Sequence, residues 1–172
     1  MVDASWCAVQ MFIPTILGQG TEEQKAELLP KCNTLEIIGT YAQTELGHGT
    51  FVRGLETTAT YVPASESFIV HSPTLTATKW WPGGLGKTAT HAVVMARLFI
   101  GSRDLGPHAF VMQLRQLDTH LCLPGIEVGD IGPKFGYNGV DNGFLRFDHV
   151  VIPRTALLAK YAKVWHDLWY CC

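Results

Sequence analysis

After Gly39 the sequence changes character, and this change narrows the possible folds more than any other feature. Short segments rich in threonine, β-branched and aromatic residues follow one another with glycine and proline between them, which is typical of strands joined by turns. These segments cover residues 55–62, 67–71, 75–81, 92–100, 108–114 and 144–150. Because they are short and regularly spaced, they favour a β-sandwich or a β-barrel over alternating βα units.

The β region is flanked on both sides by helical patterns. Upstream, Thr21 and Gln24 have the spacing of a capping box, and the apolar face that follows is expected to end at Pro30. Downstream, residues 155–169 carry apolar side chains at helical spacing. The sequence therefore predicts two helices, a β module and the beginning of a further helix, which is mainly β and α+β overall.

The composition excludes several classes of partner. The 172 residues include 13 basic and 15 acidic side chains, and the basic ones form no cluster that would attract nucleic acid. No apolar stretch reaches the roughly 18 residues that a membrane span needs.

Charged residues make up 16% of the chain, below the roughly 25% that is usual in soluble domains. We therefore expect a cofactor, another domain or a second subunit to cover much of the surface.

Motifs for metal and nucleotide chemistry are weak. The five cysteines contain no C-x-x-C pair and are expected to be reduced thiols in an intracellular compartment. His120-x-Cys122 is the only close pair of metal ligands along the sequence, so no metal site is predicted. Residues 83–88 (GGLGKT) end like a phosphate-binding P-loop, but the full pattern needs glycine where Trp81 stands. Nucleotide hydrolysis is therefore not expected.

The segment 40–50, TYAQTELGHGT, holds the densest set of candidate ligand-binding groups. Gly47 and Gly49 let the backbone bend and expose its amides, while Thr44 and Thr50 offer hydroxyls on the same loop. Such a loop could form hydrogen bonds with the polar edge of a flat heterocycle. From these residues alone, a structural turn with capping hydroxyls is an equally good interpretation.

Five segments carry a family resemblance. They are TYAQTELGHGT (40–50), RGLETTATY (53–61), HSPTLTATKWWPGGLGKTATHA (71–92), LPGIEVGDIGPKFG (123–136) and DNGFLRFDHVVIPR (141–154). In this order they resemble the peroxisomal acyl-CoA oxidases, flavoenzymes of the acyl-CoA dehydrogenase superfamily. The resemblance implies three parts: the end of an N-terminal helical domain, a middle β-barrel that contacts the flavin, and the truncated start of a C-terminal helical domain. These parts cover residues 1–39, 40–153 and 154–172.

The resemblance also implies an activity and a site. Acyl-CoA oxidases of fatty-acid β-oxidation use FAD to convert a fatty acyl-CoA and O₂ to a trans-2-enoyl-CoA and hydrogen peroxide. Carried onto this chain, the cofactor-binding residues are Thr44, Gly83, Gln43, Glu45, Trp80 and Trp81. Thr44 would bond the flavin ring with backbone support from its two neighbours, and Thr50 would contact the acyl-CoA. Trp80 and Trp81 would form a wall of the flavin site, or they would pack in the core. Gly83 would leave space for O₂ beside the flavin, or it would only permit a turn.

No catalytic residue is assigned, because the family's glutamate base lies in the C-terminal helical domain, beyond the last residue. The chain is therefore expected to be a fragment that is inactive alone. Full-length members are expected to be homodimers in the peroxisome, whereas Tyr170-Cys171-Cys172 is no peroxisomal signal and a truly truncated form would be cytoplasmic. Two alternatives remain: a non-catalytic form that binds acyl-CoA or pairs with full-length subunits, and an acyl-CoA dehydrogenase.

Overall fold

A computed structural model describes residues 8–165 and 168–171. The predictions for the two termini also include residues 1–7, 166–167 and 172, which lie outside the described residues. A π-helical turn, Ala8–Phe12, leads into α1 (Ile13–Gln19), which is followed by α2 (Glu22–Asn33). The predicted capping box is confirmed: the Thr21 hydroxyl accepts from Gln24 N at 3.3 Å, and Gln24 Oε1 accepts from Thr21 N at 3.0 Å.

The predicted end of α2 at Pro30 is wrong, because the helix continues through this residue to Asn33. A proline removes its own N–H from the helical ladder and crowds the carbonyl four residues earlier, but its own carbonyl still accepts a hydrogen bond. Here the Pro30 carbonyl accepts from Thr34 N at 3.1 Å. The last turn therefore closes in spite of the proline.

Strands make up most of the rest of the chain. They are β1 (Gly39–Ala42), β2 (Thr58–Val62), β3 (Ser67–His71), β4 (Lys79–Trp80), β5 (His91–Ile100), β6 (Arg103–Gln113), β7 (Ile126–Asp130), β8 (Gly143–Phe147), β9 (Val150–Pro153), β10 (Ala162–Trp165) and β11 (Leu168–Cys171). β5 is central: its first half pairs in parallel with β1 and its second half with β2, while β6 runs antiparallel along its other edge. β3 and β9 extend this sheet beyond β2, a second sheet has the order β4-β8-β7, and β10 and β11 form a hairpin.

The strand predictions are confirmed in part. Ser67–His71 is a strand with the predicted bounds, but the predicted strand at 75–81 shrinks to Lys79–Trp80. Threonine side chains explain the loss: the Thr74 hydroxyl accepts from Ala77 N at 3.0 Å, and the Thr78 hydroxyl donates to Leu75 O at 2.6 Å, so they fold this stretch into a turn. The predicted strand at 144–150 is divided into β8 and β9, and the sequence reading missed β1 and β7.

The predicted helix over residues 155–169 is wrong. A short 3₁₀ turn, Arg154–Ala156, is followed by the β10–β11 hairpin, in which Ala162 pairs with Cys171. Exposure alternates with the period of a strand, because Ala162 and Val164 are buried whereas Tyr161 and Lys163 are exposed. The apolar residues of this segment fit both a helical and a strand pattern, and the pairing with β11 decides between them.

Two hydrophobic clusters share β5. Alternate residues of this strand, from Ala92 to Leu98, face the cluster between the two sheets, which includes Phe68 and Phe110. Val93 belongs to the second cluster, where helical residues such as Phe12 and Ile16 pack on the sheet. The predicted fold class is therefore confirmed as a curled, mainly β structure with helices packed against it. No helix within the described ranges is long and apolar enough to span a bilayer.

His91, at the start of β5, gives the fold a dependence on pH. Burial, together with the nearby charge of Lys31, lowers the pKa of His91 from its usual 6.5 to about 4. Between these pH values the unfolded chain binds a proton that the folded chain does not bind, so stability is lost as the pH falls from 6.5 to about 4. We expect His91→Gln to remove up to about 3 kcal/mol of this loss.

The measurement is urea unfolding of the wild type and of His91→Gln at neutral pH and at about pH 4. Other groups titrate equally in both proteins, so the difference between the two isolates the histidine. An identical loss of stability in both proteins would contradict the prediction.

Candidate functional site

A groove of about 280 Å³ opens where the end of β1 meets β4 and the Pro-Gly segment that follows it. Its lining residues are Met11, Tyr41, Gln43, Thr44, Trp80, Trp81, Pro82 and Gly83. The groove thus brings together all of the predicted cofactor-binding residues except Glu45. The predicted cofactor-binding residues did not include Met11, Tyr41 and Pro82. Pro82 lies between Trp81 and Gly83, and Tyr41 lies within the segment 40–50 that the sequence singles out.

Backbone hydrogen bonds hold the two walls of the groove together. Trp80 N donates to Thr44 O at 2.9 Å, and Leu46 N donates to Thr78 O at 2.7 Å, so the loop after β1 and the segment around β4 form a short antiparallel ladder. The buried Thr40 hydroxyl donates to Gly83 O at 2.8 Å. These contacts fix the floor and both sides of the groove relative to one another.

Beneath the groove lies a fully buried ion pair. Lys79 Nζ is 2.9 Å from Glu45 Oε1, and both side chains have zero exposure. The ammonium also donates to Gln43 O at 3.1 Å and to Met95 O at 2.6 Å, while the carboxylate accepts from the backbone N–H groups of residues 56 and 57. All three ammonium protons therefore have acceptors, which a buried charge requires.

The pKa values of this pair reflect both burial and attraction. Burial raises the pKa of Glu45, but the Lys79 charge and the hydrogen bond from the Glu56 backbone outweigh it, so the pKa lies below its usual value. Burial lowers the pKa of Lys79 to about 8, against the attraction of Glu45. The Glu45 side chain is thus buried against Lys79 and does not line the groove. The predicted support of a ligand by the backbone groups of Glu45 stays a prediction. The sequence does carry a signal for this ion pair. Lys79 is the only charged residue in the run TATKWWPGG, which indicates a buried charge that needs a partner.

The two tryptophans lie outside the buried core. Trp80 is partly buried and stacks with Phe144, with ring centroids 6.4 Å apart. Trp81 is 55% exposed and has a φ of +67°, a conformation that costs energy for an aromatic residue. Hydrogen bonds hold it there, since Trp81 N donates to Gly143 O at 2.8 Å and Asn142 Nδ2 donates to Trp81 O at 2.7 Å. Trp81 therefore lies at the surface of the groove and not in the core, and its predicted contact with a flavin stays a prediction.

Polar groups on the opposite wall are available to a ligand. The Tyr41 hydroxyl donates to Gln43 Oε1 at 3.0 Å, and burial raises the pKa of Tyr41, which keeps this hydroxyl protonated. Within the described part of the chain, neither the Thr44 hydroxyl nor the Gln43 amide nitrogen forms a hydrogen bond. Both groups can therefore donate to a bound molecule.

Thr50 lies apart from these residues. It is exposed, in the loop beyond Gly49, and it does not line the groove. Its predicted contact with acyl-CoA stays a prediction.

The P-loop-like segment is bound to an internal carboxylate. Asp141 Oδ2 accepts from Lys87 N at 2.9 Å, from Thr88 N at 3.1 Å and from the Thr88 hydroxyl at 3.0 Å. Buried Arg115 donates to Gly86 O at 3.0 Å on the other side of the loop. The amides of Lys87 and Thr88 are thus engaged within the protein and are not offered to phosphate. A β-carbon on Gly86 would lie 3.0 Å from Asp130 Cα, so close packing accounts for this glycine.

Comparison with known proteins identifies the family. The family model described as acyl-CoA dehydrogenase, middle domain, matches residues 40–150. This chain belongs to the acyl-CoA dehydrogenase and oxidase family. A second model, acyl-coenzyme A oxidase N-terminal, matches residues 4–38, so the match continues into the helices of this acyl-CoA oxidase relative.

Its relatives are acyl-CoA oxidases. The chain is 59% identical over 157 residues to peroxisomal acyl-coenzyme A oxidase 1 of Homo sapiens, covering 91% of this chain and 24% of that protein. The solved structure of Arabidopsis thaliana acyl-CoA oxidase 1 has a TM-score of 0.96 at 54% identity, covering 98% of this chain and 26% of that one. Caenorhabditis elegans acyl-CoA oxidase-1 complexed with FAD and ATP has a TM-score of 0.96 at 50% identity, with 98% and 26% covered. The chain therefore spans about a quarter of the length of these acyl-CoA oxidases.

Proposed function

We propose that this chain is the flavin-contacting part of a peroxisomal, dimeric acyl-CoA oxidase of fatty-acid β-oxidation. The reaction takes a fatty acyl-CoA and O₂ to a trans-2-enoyl-CoA and hydrogen peroxide. The chemistry that FAD supplies when bound is removal of hydrogens from the α and β carbons and transfer of the electrons to O₂. The single observation that carries the proposal is the groove, because it combines aromatic walls with unpaired hydrogen-bond donors.

The residues of the groove suit a flat ring with one polar edge. Trp80 and Trp81 offer broad apolar surfaces, and the hydroxyl of Thr44 and the amide nitrogen of Gln43 can donate to the polar edge of the ring. Fixed donors at such an edge stabilise negative charge that develops there. Gly83 carries no side chain, which leaves space for O₂ beside the ring and supports the oxidase over the dehydrogenase.

The proposal predicts that the chain retains FAD after incubation and desalting, and that Thr44→Val weakens this binding by about ten-fold. Loss of one hydrogen bond to a charged or polar edge costs about 1.5 kcal/mol. The measurement is a fluorescence titration of FAD, together with the visible flavin bands of the desalted protein.

A matched control is Thr60→Val, since Thr60 is an exposed threonine on β2 that lies outside the groove. It should bind FAD as the wild type does. If Thr44→Val and Thr60→Val bind FAD equally well, or if the folded wild type loses all flavin on desalting, the proposed site is wrong.

A further inference from the structure

Away from the groove, two histidines and an aspartate meet at one end of the large sheet. His71 is the last residue of β3, and Asp148 and His149 form the turn between β8 and β9. Their ligand atoms, one from each residue, all lie within 4.8 Å of one another. The sequence predicted no metal site, since it contains no metal-binding motif. His71 is far from the other two residues along the chain, so no motif marks this cluster.

The backbone holds these three residues in place. β3 pairs with β9 up to Val70 and Val150, next to the cluster. Ser72 N donates to Phe147 O at 2.9 Å, and Phe147 N donates to the Ser72 hydroxyl at 3.2 Å, so the end of β3 is clamped to the end of β8. The cluster is thus built on paired strands, which position side chains more accurately than an unsupported loop does.

One nitrogen in the cluster lacks a partner. His71 Nδ1 is shielded from solvent and forms no hydrogen bond with any residue that the structure describes, although Asp148 Oδ1 is 3.8 Å away. The same carboxylate oxygen is 2.7 Å from His149 Nδ1, and the two imidazole rings stack with centroids 3.8 Å apart. A buried nitrogen without a partner costs free energy, and a neighbouring carboxylate and second imidazole offer the donor set that a cation would complete.

We propose that His71 Nδ1, His149 Nδ1 and Asp148 Oδ1 bind one divalent transition-metal ion of the class that imidazole favours, with Zn²⁺ as the probe. Two imidazole nitrogens and a carboxylate oxygen are common zinc ligands, and water would complete a tetrahedral shell. The side chain of His149 is 67% exposed, so its ring is free to turn from the stacked position towards the ion. An adjacent groove of about 420 Å³ gives water access to the open position.

The test is a calorimetric titration of the purified chain with Zn²⁺, comparing wild type with His149→Asn and Asp148→Asn. Asparagine tolerates the positive φ of +51° at His149, so the turn should keep its shape. Loss of a residue that only supports a metal ligand costs about ten-fold in affinity, so loss of a ligand should weaken Zn²⁺ binding by about ten-fold or more. Zn²⁺ should also raise the melting temperature of the wild type more than that of either variant.

The matched control is His120→Asn, which removes an exposed histidine that also has positive φ, at +61°. It leaves the cluster intact and should bind Zn²⁺ as the wild type does. Every variant keeps all five cysteines, so binding by thiols contributes equally throughout. The proposal is overturned if His149→Asn and Asp148→Asn bind Zn²⁺ as the wild type does, or if only His120→Asn loses binding.

Discussion

Replacement of Lys79 by methionine is expected to destabilise the fold by about 3–5 kcal/mol, because it leaves the Glu45 carboxylate buried without its counter-charge. The change also removes the donor that bridges Gln43 O and Met95 O, and so it loosens the polar wall of the groove from the central strand. Urea unfolding followed by circular dichroism measures the loss. Weaker retention of FAD should accompany it.

Two further variants separate the ion pair from a general effect of losing a lysine. Lys87→Met removes an exposed lysine and should change stability by less than about 0.5 kcal/mol. The double variant Glu45→Gln, Lys79→Met removes both charges of the pair, and its amide oxygen can still accept from the backbone, so it should be more stable than Lys79→Met alone. Equal stability of Lys79→Met and Lys87→Met would contradict this account.

Gly143→Ala is expected to destabilise the fold by about 3 kcal/mol and to abolish retention of FAD. A β-carbon at this position would lie 2.5 Å from Gly86 N and 2.8 Å from Leu85 Cγ, and the nearby backbone cannot give way cheaply. Gly143 also exchanges hydrogen bonds with the groove, accepting from Trp81 N and donating to Pro82 O. The added methyl group should therefore displace Trp81, on the wall of the groove, as well as the backbone at Gly86.

Gly139→Ala is the matched control, since a β-carbon there meets no described atom within 4 Å and the backbone has no positive φ. Thermal unfolding and a flavin-binding titration of both variants provide the comparison. If Gly143→Ala unfolds and binds FAD as Gly139→Ala does, the close approach at Gly143 is not what positions the wall.

Structure that depends on neighbouring residues was predictable from the sequence, whereas structure that depends on contacts between distant segments was not. The capping box at Thr21 and the strand Ser67–His71 each depend on neighbouring residues, and both predictions are confirmed. The segment 155–169 carries apolar residues that suit a helix as well as a strand, and only its pairing partner decides the outcome. Such a partner cannot be identified from one stretch of sequence.

The candidate site shows the same division. Resemblance to the acyl-CoA oxidases selected Thr44, Trp80 and Trp81, which do line one groove. It could not show that Glu45 faces inward to Lys79, because this contact depends on how two distant segments pack. The role of the P-loop-like segment was not predictable for the same reason, since the carboxylate that accepts from Lys87 N and Thr88 N belongs to Asp141, more than fifty residues away in the chain.

The buried pair of Glu45 and Lys79 also restricts how such a sequence can diverge. Each residue neutralises the charge of the other, and Glu45 also accepts from two backbone amides. A single substitution at either position therefore produces a protein with an unpaired buried charge. Exposed positions nearby, such as Thr50 and Phe51, carry no comparable restriction. Mutational drift should therefore change these exposed loop positions readily, while replacement of the buried pair requires two nearly simultaneous substitutions.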